Sequence, residues 1–403
     1  MSHMRNKESL SAIDLFCGCG GISCGLRMAG FDVVAGVDVE KKYMATFSHN
    51  FPKAKSIEMD LSKVHPNDFM ELLGIRPGEI TLIAGGPPCQ GFSKNVPRKL
   101  RYLEDPKNLL IKTFLDYCEV LKPLLVLVEN VAEMKNGFDE AYSDEILYRL
   151  TEEGYKVTHA VLNAIDYGVP QRRRRAFFLA NRCGVELKVP SSTHAKPASQ
   201  MSLLSLPSYV KVWDAIGDLP SLRHGEGQIL SEYSSRPFSD YQRQMRASQA
   251  RVANHIARHL QPKQYERLAS LQPGQSHKDL PTHLQVRGGY SGAYGRLTKD
   301  MLAPTITRWV FHPGSGRWGH PVDARVLSIR EVARIQSFPD SFEFVGSYSQ
   351  QAGQLGNAVP PLLAERIAES MLYQVGRSRC DNSSANISKE IFSSPVGSLN
   401  VTT

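Results

Sequence analysis

Apolar segments of strand length alternate with helix-length segments from Leu10 to about Arg182, and this alternation constrains the fold more than any other feature. Six runs have the length and β-branched content of buried strands: Ala12–Phe16, Val33–Val37, Ile80–Ala84, Leu124–Val128, Thr158–Leu162 and Arg175–Ala180. Helical spacing and good helix formers occur between them at Lys41–His49, Leu109–Leu121 and Glu140–Glu153. We therefore predict an α/β fold with a doubly wound, mostly parallel sheet and helices on both faces.

Basic residues are concentrated in one part of the chain. The 403 residues carry a formal net charge of +8, and residues 190–320 alone contain 16 Lys and Arg against 8 Asp and Glu. From Pro190 onward the alternation also fades, so we predict a second, smaller domain there. A neutral body joined to a basic region is typical of an enzyme with a polyanion-binding module, although basic residues that only solubilise a surface would give the same count.

Several classes of protein are disfavoured by the composition. No apolar run approaches the roughly 18 residues of a membrane span, and residues 1–9 lack the apolar core of a signal peptide. The seven cysteines are irregularly spaced, which favours a reduced, cytoplasmic protein over a disulfide scaffold. Cys17, Cys19 and Cys24 lack the spacing of a zinc site, so we predict no metal.

A rigid turn follows the third strand candidate. Residues 85–93 read Gly-Gly-Pro-Pro-Cys-Gln-Gly-Phe-Ser, in which two glycines end the strand and two prolines stiffen the turn. Cys89 should therefore lie on a loop at the carboxyl end of a parallel strand, where such sheets bind ligands. Burial in an apolar core is the commoner fate of cysteine, but these neighbours are typical of a loop. We interpret Cys89 as a candidate nucleophile.

Two other strand ends carry charged side chains. Glu129 follows the next strand and would face the same cleft as the cysteine turn, with an ordinary ion-paired glutamate as the alternative. A run of four arginines begins the last strand candidate. Because side chains alternate along a strand, Arg173 and Arg175 should point to one side and Arg172 and Arg174 to the other. We expect one pair to reach the cleft.

A glycine-rich turn follows the first strand candidate. Residues 14–21 read Asp-Leu-Phe-Cys-Gly-Cys-Gly-Gly, and the helix that begins near Ile22 would direct its N-terminus at a ligand. Asp38 ends the second strand some 20 residues later, where an acidic side chain can bind ribose hydroxyls. Asp60 follows another short strand candidate and could bind an adenine amino group. Together these features favour an adenosine-containing cofactor.

Two further regions could contact a polyanion. Lys94–Arg101 is basic and lacks periodicity, so we expect a mobile loop, either a solvated surface or a lid that grips phosphate. The basic region interleaves aromatic residues with arginines, a pattern that suits nucleic acid and equally suits core aromatics packed by arginine stems. These residues are Tyr290, Tyr294, Trp309, Phe311 and Trp318, with Arg287, Arg296, Arg308 and Arg317.

The C-terminal part contains two helix candidates and a polar tail. Arg325–Asp340 has the pattern of an amphipathic helix ended by proline, Gly356–Pro361 that of a turn, and Leu362–Val375 that of a helix. The Ser- and Asn-rich tail from Gly376 is predicted to be disordered. The predicted domains are residues 10–189 for catalysis and cofactor binding, completed by 356–376, residues 190–340 for target recognition and hinge, and residues 377–403 for the tail.

In this order, the blocks resemble the DNA cytosine-5 methyltransferase family of bacterial modification enzymes. The matching blocks are residues 14–21, 85–93, 129–131, 171–175, 325–340 and 356–361. The resemblance covers residues 12–372 except 190–301, where the family's variable target-recognition segment would lie. Asp38 replaces a usual Glu, Lys107 a usual Arg and Ser328 a usual Thr. Of these, Lys107 puts one DNA or loop contact in doubt.

The resemblance implies S-adenosylmethionine as cofactor and S-adenosylhomocysteine as product. Phe16 would lie near the sulfonium in a cation–π arrangement. Asp38 would bind the ribose hydroxyls, Val39 would pack on adenine, and Asp60 would accept from the adenine amino group. The implied cofactor site comprises Phe16, Gly18, Gly20, Gly21, Asp38, Val39, Asp60, Pro88 and Asn357.

The resemblance also implies methyl transfer to C5 of a cytosine that is flipped out of duplex DNA. Cys89 would attack C6, and Glu129 would contact N3 and the exocyclic amine. Arg175 would bind O2, and Arg173 would hold a phosphate or Glu129. The implied DNA contacts are Ser93, Lys94, Arg98, Lys99, Arg101, Arg287, Arg296 and Arg308.

The partner implied is duplex DNA, without a membrane, bound by a monomer in the bacterial cytoplasm and nucleoid. A cognate restriction endonuclease, where one exists, would act separately. The alternatives are a cytosine-5 methyltransferase that acts on tRNA and a catalytically silent DNA-binding regulator on the same fold. The long basic segment before Arg325 favours duplex DNA, and the presence of Cys89 and Glu129 argues against the silent regulator.

Overall fold

The structure is a computed structural model that describes residues 10–88, 109–132, 141–196, 206–286 and 291–381. Its first lobe is built on a sheet of β1 (Ser11–Leu15), β2 (Asp32–Asp38), β3 (Lys55–Glu58), β4 (Leu82–Gly85), β5 (Leu125–Val131), β6 (Lys156–Asn163) and β7 (Arg174–Asn181). The spatial order is β3-β2-β1-β4-β5-β7-β6, and β7 runs antiparallel to both of its neighbours while the other pairs are parallel. The predicted α/β fold with a mostly parallel sheet is confirmed.

Helices cover both faces of this sheet. They are α1 (Gly21–Met28), α2 (Lys41–Asn50), α3 (Pro66–Leu73), α4 (Leu109–Leu121) and α5 (Ala141–Glu152). Successive residues of a strand alternate between two apolar clusters, so that Leu82 packs with α1 on one face and Ile83 packs with α4 on the other. Burial on both faces explains why these strands have continuous apolar sequences.

The second lobe has short elements joined by long irregular segments. It contains α6 (Val212–Ile216), β8 (Leu230–Glu232), α7 (Asp240–Arg246), β9 (Arg251–Ala253) and α8 (Pro262–Ala269). The strands β8 and β9 form a separate antiparallel pair. Leu271, Leu284 and Tyr294 belong to a small apolar cluster outside the main core. This arrangement agrees with the loss of alternation after Pro190.

The prediction of an amphipathic helix over Arg325–Asp340 was wrong in length and in kind. The segment contains one short helix, α9 (Ile329–Ile335), and all seven of its residues are buried. The guanidinium of Arg334 lies 2.6 Å from Asp340 and 3.2 Å from Asp218. Arginines that look solvent-facing in the sequence are therefore buried, because paired carboxylates offset the cost of removing them from water.

The C-terminal helices return to the first lobe. They are α10 (Tyr348–Asn357), which was not among the predicted helices, and α11 (Pro361–Asp381), which packs against α1. Gly356 and Asn357 therefore end a helix rather than lying within a turn. The helix α11 also extends five residues into the segment 377–403 that was assigned to a disordered tail. No helix among the described residues is long and apolar enough to cross a lipid bilayer.

Glu365 on α11 should make stability depend on pH. Its Oε2 atom is buried and lacks a hydrogen-bond partner, and burial raises the pKa of the carboxyl to about 7. The pKa of Glu365 is higher in the folded chain than in the unfolded chain. Its contribution to the free energy of unfolding is therefore fully present below about pH 4.5 and is lost as the pH rises through 7. We expect Glu365→Gln to gain about 1–2 kcal/mol at pH 8 and little at pH 4.5.

Thermal unfolding at both pH values measures this difference. The matched control is Glu152→Gln, which makes the same change on an exposed surface of α5. An equal gain in stability at the two pH values, or an equal gain in Glu152→Gln, would show that the buried, unpaired carboxyl of Glu365 does not cause the pH dependence.

Candidate active site

The register of the sheet brings the predicted site residues to one edge. Leu15 of β1 pairs with Val37 of β2 and with Gly85 of β4, and Gly85 pairs with Val128 of β5. The carboxyl ends of these four parallel strands therefore lie at one edge of the sheet. Because β7 is antiparallel, its first residues lie at the same edge, with Arg175 opposite Val131. Asp38, Glu129 and Arg175 therefore lie at the same edge of the sheet.

The glycine-rich turn after β1 curls over the end of β2. Phe16 has a positive φ of 60°, a backbone conformation that costs about 1–3 kcal/mol for a residue with a side chain and is found mainly at functional sites. Cys17 N donates to Val37 O at 3.0 Å, and Gly18 N donates to Asp38 Oδ2 at 2.9 Å. A Cβ atom on Gly18 would meet nothing within 4 Å, so this turn borders open space.

Asp38 organises the entrance to this space. Its carboxylate accepts hydrogen bonds from Gly18 N and from Glu40 N at 2.8 Å. Burial raises the pKa of Asp38, while hydrogen bonds from the backbone of Glu40, Gly18 and Val39 oppose the rise. A carboxylate has about four acceptor positions, so the backbone donors leave capacity for a ribose hydroxyl. Val39 beside it is 60% exposed, as an apolar surface for an adenine ring would be.

Two other predicted cofactor residues, Asp60 and Asn357, are among the described residues. Asp60 caps a short 3-10 turn through Ser62, and its pKa is lowered by that hydrogen bond and by Lys63 at 3.0 Å. Asn357 ends α10 with an exposed side chain, and its Nδ2 atom donates to Tyr43 Oη at 3.2 Å. Tyr43 was not predicted, because nothing in its local sequence separates it from an ordinary polar face of α2.

The predicted carboxylate is paired with an arginine of the neighbouring strand. Arg175 Nε lies 3.0 Å from Glu129 Oε1, and both side chains are largely buried. Burial raises the pKa of Glu129, and the positive charges of Arg175 and Arg173 oppose that rise. The pair can hold a proton or a negative charge at the cleft, since the surroundings favour the neutral acid while the guanidinium stabilises the anion.

The residues that lead to Cys89 pack directly against this pair. A methyl group on Gly86 would lie 3.1 Å from Glu129 Oε2. Asn130 Nδ2 donates to Pro87 O at 3.0 Å and fixes the backbone of the turn. Pro88 is exposed and ends the described segment. Cys89 itself lies outside the described residues, one residue beyond this anchored turn.

The predicted alternation of the arginines agrees with the structure, but one assigned role does not. Arg173 and Arg175 point inward, whereas Arg172 and Arg174 are exposed. Arg175, rather than Arg173, forms the ion pair with Glu129. Arg173 is 1% exposed and donates to Ile306 O and Gly356 O at 3.0 and 3.1 Å. It joins the two lobes and is too buried to hold a phosphate.

Few of the predicted DNA contacts can be placed. Ser93, Lys94, Arg98, Lys99, Arg101 and Arg287 lie outside the described residues, as do Lys107 and the predicted nucleophile Cys89. The assignment of Arg296 was wrong, because its guanidinium is buried and donates to Leu271 O at 2.8 Å and Val322 O at 2.7 Å. Arg308 is exposed, as a DNA contact must be.

The interleaved aromatic residues likewise divide into buried and exposed side chains. Tyr294 and Trp318 are buried, which matches the core alternative. Trp309 is 53% exposed and lies beside Arg308, whose guanidinium carbon is 5.4 Å from the indole centroid. Among the described residues, no cluster of three His, Cys, Asp or Glu residues could hold a metal ion.

Comparison with known proteins gives a consistent result. The family model for C-5 cytosine-specific DNA methylases matches residues 10–373. Type II methyltransferase M1.HphI of Haemophilus parahaemolyticus is 33% identical over 90% of this chain and 87% of its own length. Type II methyltransferase M.DdeI of Desulfomicrobium norvegicum is 32% identical over 97% of this chain and 96% of its own.

A solved structure extends the likeness to the whole architecture. The crystal structure described as a DNA modification methyltransferase encoded within an E. coli prophage superimposes with a TM-score of 0.72 at 25% identity. The match covers 91% of this chain and 99% of that one. Both the first lobe and most of the second are therefore shared with that structure.

Proposed function

The chain belongs to the C-5 cytosine-specific DNA methylase family, and we propose that it transfers a methyl group from S-adenosylmethionine to C5 of a cytosine in a specific duplex DNA sequence. One observation carries this proposal to the level of residues. The Glu129–Arg175 pair lies at the sheet edge that also presents Asp38, and it contacts the turn that leads to Cys89. A reactive thiol, a proton-holding carboxyl and an adenosine site would thus share one cleft.

The described residues fit an adenosyl cofactor. Asp38 has free acceptor positions, Val39 offers an exposed apolar surface, and the turn at Gly18 borders open space. When bound, S-adenosylmethionine supplies an electrophilic methyl group. The chain must then make C5 of cytosine nucleophilic enough to accept it.

Cys89 performs that activation in our proposal. Its thiolate adds to C6, and the electron pair of the C5–C6 double bond moves to C5, which becomes the carbon of an enamine and accepts the methyl group. A base then removes the C5 proton, and Cys89 leaves as the thiolate to restore the ring. Ordinary thiols have a pKa near 8.5 and are only partly ionised at neutral pH, yet cysteine is highly nucleophilic.

Glu129 and Arg175 stabilise the charge that develops on the ring. Thiolate addition raises electron density at N3 and O2, and Glu129 in its acid form can donate a proton to N3. Arg175, held by Glu129 at 3.0 Å, would donate to O2. This arrangement requires the base to leave the DNA stack, since Cys89 and the methyl donor must approach opposite faces of the ring.

Methylation mapping tests the proposed substrate. We expect bisulfite sequencing of DNA from cells that express the protein to show 5-methylcytosine at one short sequence. The same protein incubated with tRNA should leave it unmodified. Methylated tRNA with unmodified DNA would establish the RNA alternative, and binding of DNA without any methylation would establish the silent regulator.

A mutation of Asp38 tests the cofactor site separately. We expect Asp38→Asn to weaken binding of S-adenosylmethionine about 10- to 150-fold, because charge-assisted hydrogen bonds contribute about 1.5–3 kcal/mol. Isothermal titration calorimetry with the full chain measures this affinity. The control is Asp32→Asn, which makes the same change in an exposed residue at the opposite end of β2. Unchanged affinity in Asp38→Asn would reject the assignment.

The setting of the reaction follows from these assignments. We propose a monomer that acts on chromosomal DNA in the bacterial cytoplasm, because one chain carries both a catalytic edge and a basic second lobe. The named relatives are bacterial type II methyltransferases, so a restriction endonuclease that recognises the same sequence would be a separate protein.

A further inference from the structure

A groove between the two lobes is not used by the mechanism above. Its cavity volume is about 1130 Å³. Arg172, two residues before β7, lines it from the first lobe, while Lys211, Trp309 and Arg317 line it from the second lobe. The groove therefore combines positive charge with an exposed indole, which is the composition of surfaces that bind nucleic acid strands.

Trp309 is presented to the groove by a constrained turn. Val310 N donates to Thr307 O at 3.0 Å, and His312 N donates to Trp309 O at 2.9 Å. Ser315 Oγ donates to the same Trp309 carbonyl at 2.6 Å. The next residue, Val310, is buried, whereas the indole is 53% exposed. Because the backbone that carries the exposed ring is fixed by these bonds, stacking on a base would cost mainly the rotamer freedom of the indole.

Arg172 differs from the other basic residues of the groove. Lys211 Nζ is 3.4 Å from Asp300 Oδ1, and Arg317 Nη1 donates to Gly274 O at 2.7 Å. Arg172 is exposed, and its guanidinium forms no hydrogen bond or ion pair with a described residue, although Tyr209 of the same groove lies within range of its charge. Its backbone is nevertheless fixed, because Arg172 N donates to Ala303 O at 2.9 Å. A fixed arginine with a free guanidinium is suited to bind a phosphate.

Both walls of the groove connect to the reaction cleft. Arg172 lies three residues before Arg175, which pairs with Glu129. The turn that carries Trp309 touches the end of α10, since a methyl group on Gly356 would lie 2.2 Å from Arg308 N. A strand that occupied the groove would therefore pass directly beside the cleft.

We propose that this groove binds the nucleotide next to the flipped cytosine, with Trp309 stacked on its base and Arg172 bound to its phosphate. The proposal rests on the proposed DNA methyltransferase function and adds to it two residues that position the substrate. The groove, not the cleft, would then hold the strand in register while the target base leaves the helix.

Fluorescence anisotropy with a labelled duplex tests the phosphate contact. The duplex contains the site identified by bisulfite sequencing, and S-adenosylhomocysteine is present. We expect Arg172→Gln to reduce the slope of log Kd against log salt by about one, as loss of one phosphate contact requires. The control is Arg76→Gln, an equal charge change in an exposed residue before β4, at the opposite edge of the sheet, and it should leave the slope unchanged.

The stacking contact has a different signature. We expect Trp309→Ala to raise Kd about 5- to 150-fold, the range for loss of one stacked base, without changing the salt slope. Trp309→Phe should recover most of the affinity. The thermal midpoint should remain near that of the wild type, because the indole is half exposed.

The outcomes separate this proposal from the function on which it rests. Wild-type methylation together with unchanged Kd and salt slope in both variants would overturn the groove alone. An equal loss of salt slope in Arg76→Gln would also overturn it, because the effect would then be one of net charge. Absence of methylation by the wild-type protein would overturn the proposed function and the groove together.

Discussion

Replacement of Cys89 by alanine should abolish methyl transfer while leaving DNA binding intact. Without the thiolate, C5 of cytosine remains too weak a nucleophile to accept the methyl group, so we expect a rate loss of about 10⁴-fold or more. Transfer of a tritiated methyl group to a duplex that contains the target site measures the rate. Anisotropy with the same duplex measures binding, which should change by less than about threefold because one small side chain contributes little to the affinity.

The chain offers a matched control for this variant. Among the described cysteines, Cys183 is the one that is not buried, and it follows β7 at the edge of the sheet opposite to the cleft. Cys183→Ala should retain the wild-type rate. Full turnover by Cys89→Ala, or an equal loss in Cys183→Ala, would remove Cys89 from the mechanism.

Replacement of Glu129 by glutamine should have the next largest effect. Glutamine keeps the size of the side chain and can still accept from Arg175, but it cannot deliver a proton to N3. Proton transfer by a positioned side chain contributes about 10²- to 10⁴-fold, and we expect the single-turnover rate to fall by that factor. Glu71→Gln, in an exposed position on α3, is the matched control and should behave as wild type.

The pH profile separates proton donation by Glu129 from a purely structural role. Burial raises the pKa of Glu129, so the acid form persists to higher pH than in an ordinary glutamate. The rate should rise with pH as the Cys89 thiol ionises and fall as Glu129 loses its proton, which gives a bell-shaped profile. Glu129→Gln should lose the descending limb. A descending limb that persists in the variant would assign it to another group.

The edge of the sheet that carries the site could be predicted from the sequence because strand ends are local features. Glu129 and Asp38 each follow a continuous apolar run in the sequence, and the carboxyl ends of parallel strands lie on one side of a sheet. The alternation of Arg173 and Arg175 likewise followed from the period of a strand. These predictions needed no knowledge of distant residues.

The pairing of the buried arginines could not be predicted, because it depends on groups far away in the sequence. Arg296 bonds to the carbonyl groups of Leu271 and Val322, and Arg334 pairs with Asp218. In both cases the local sequence indicates an exposed arginine, because the groups that pair with it lie far away in the chain. Arg173 was assigned to Glu129 or a phosphate for the same reason, since only the register of β5 and β7 shows that Arg175 is the nearer partner.

Covalent trapping with 5-fluorocytosine tests whether Cys89 bonds to C6 of the target cytosine. A duplex pool of random sequence in which every cytosine carries fluorine at C5 includes the target, and fluorine cannot leave C5 as the proton does. With S-adenosylmethionine present, we expect mass spectrometry to find a nucleotide methylated at C5 and bonded through C6 to the peptide that contains Cys89. An adduct at any other residue, or methylation of normal DNA without any adduct on the fluorinated pool, would contradict this expectation.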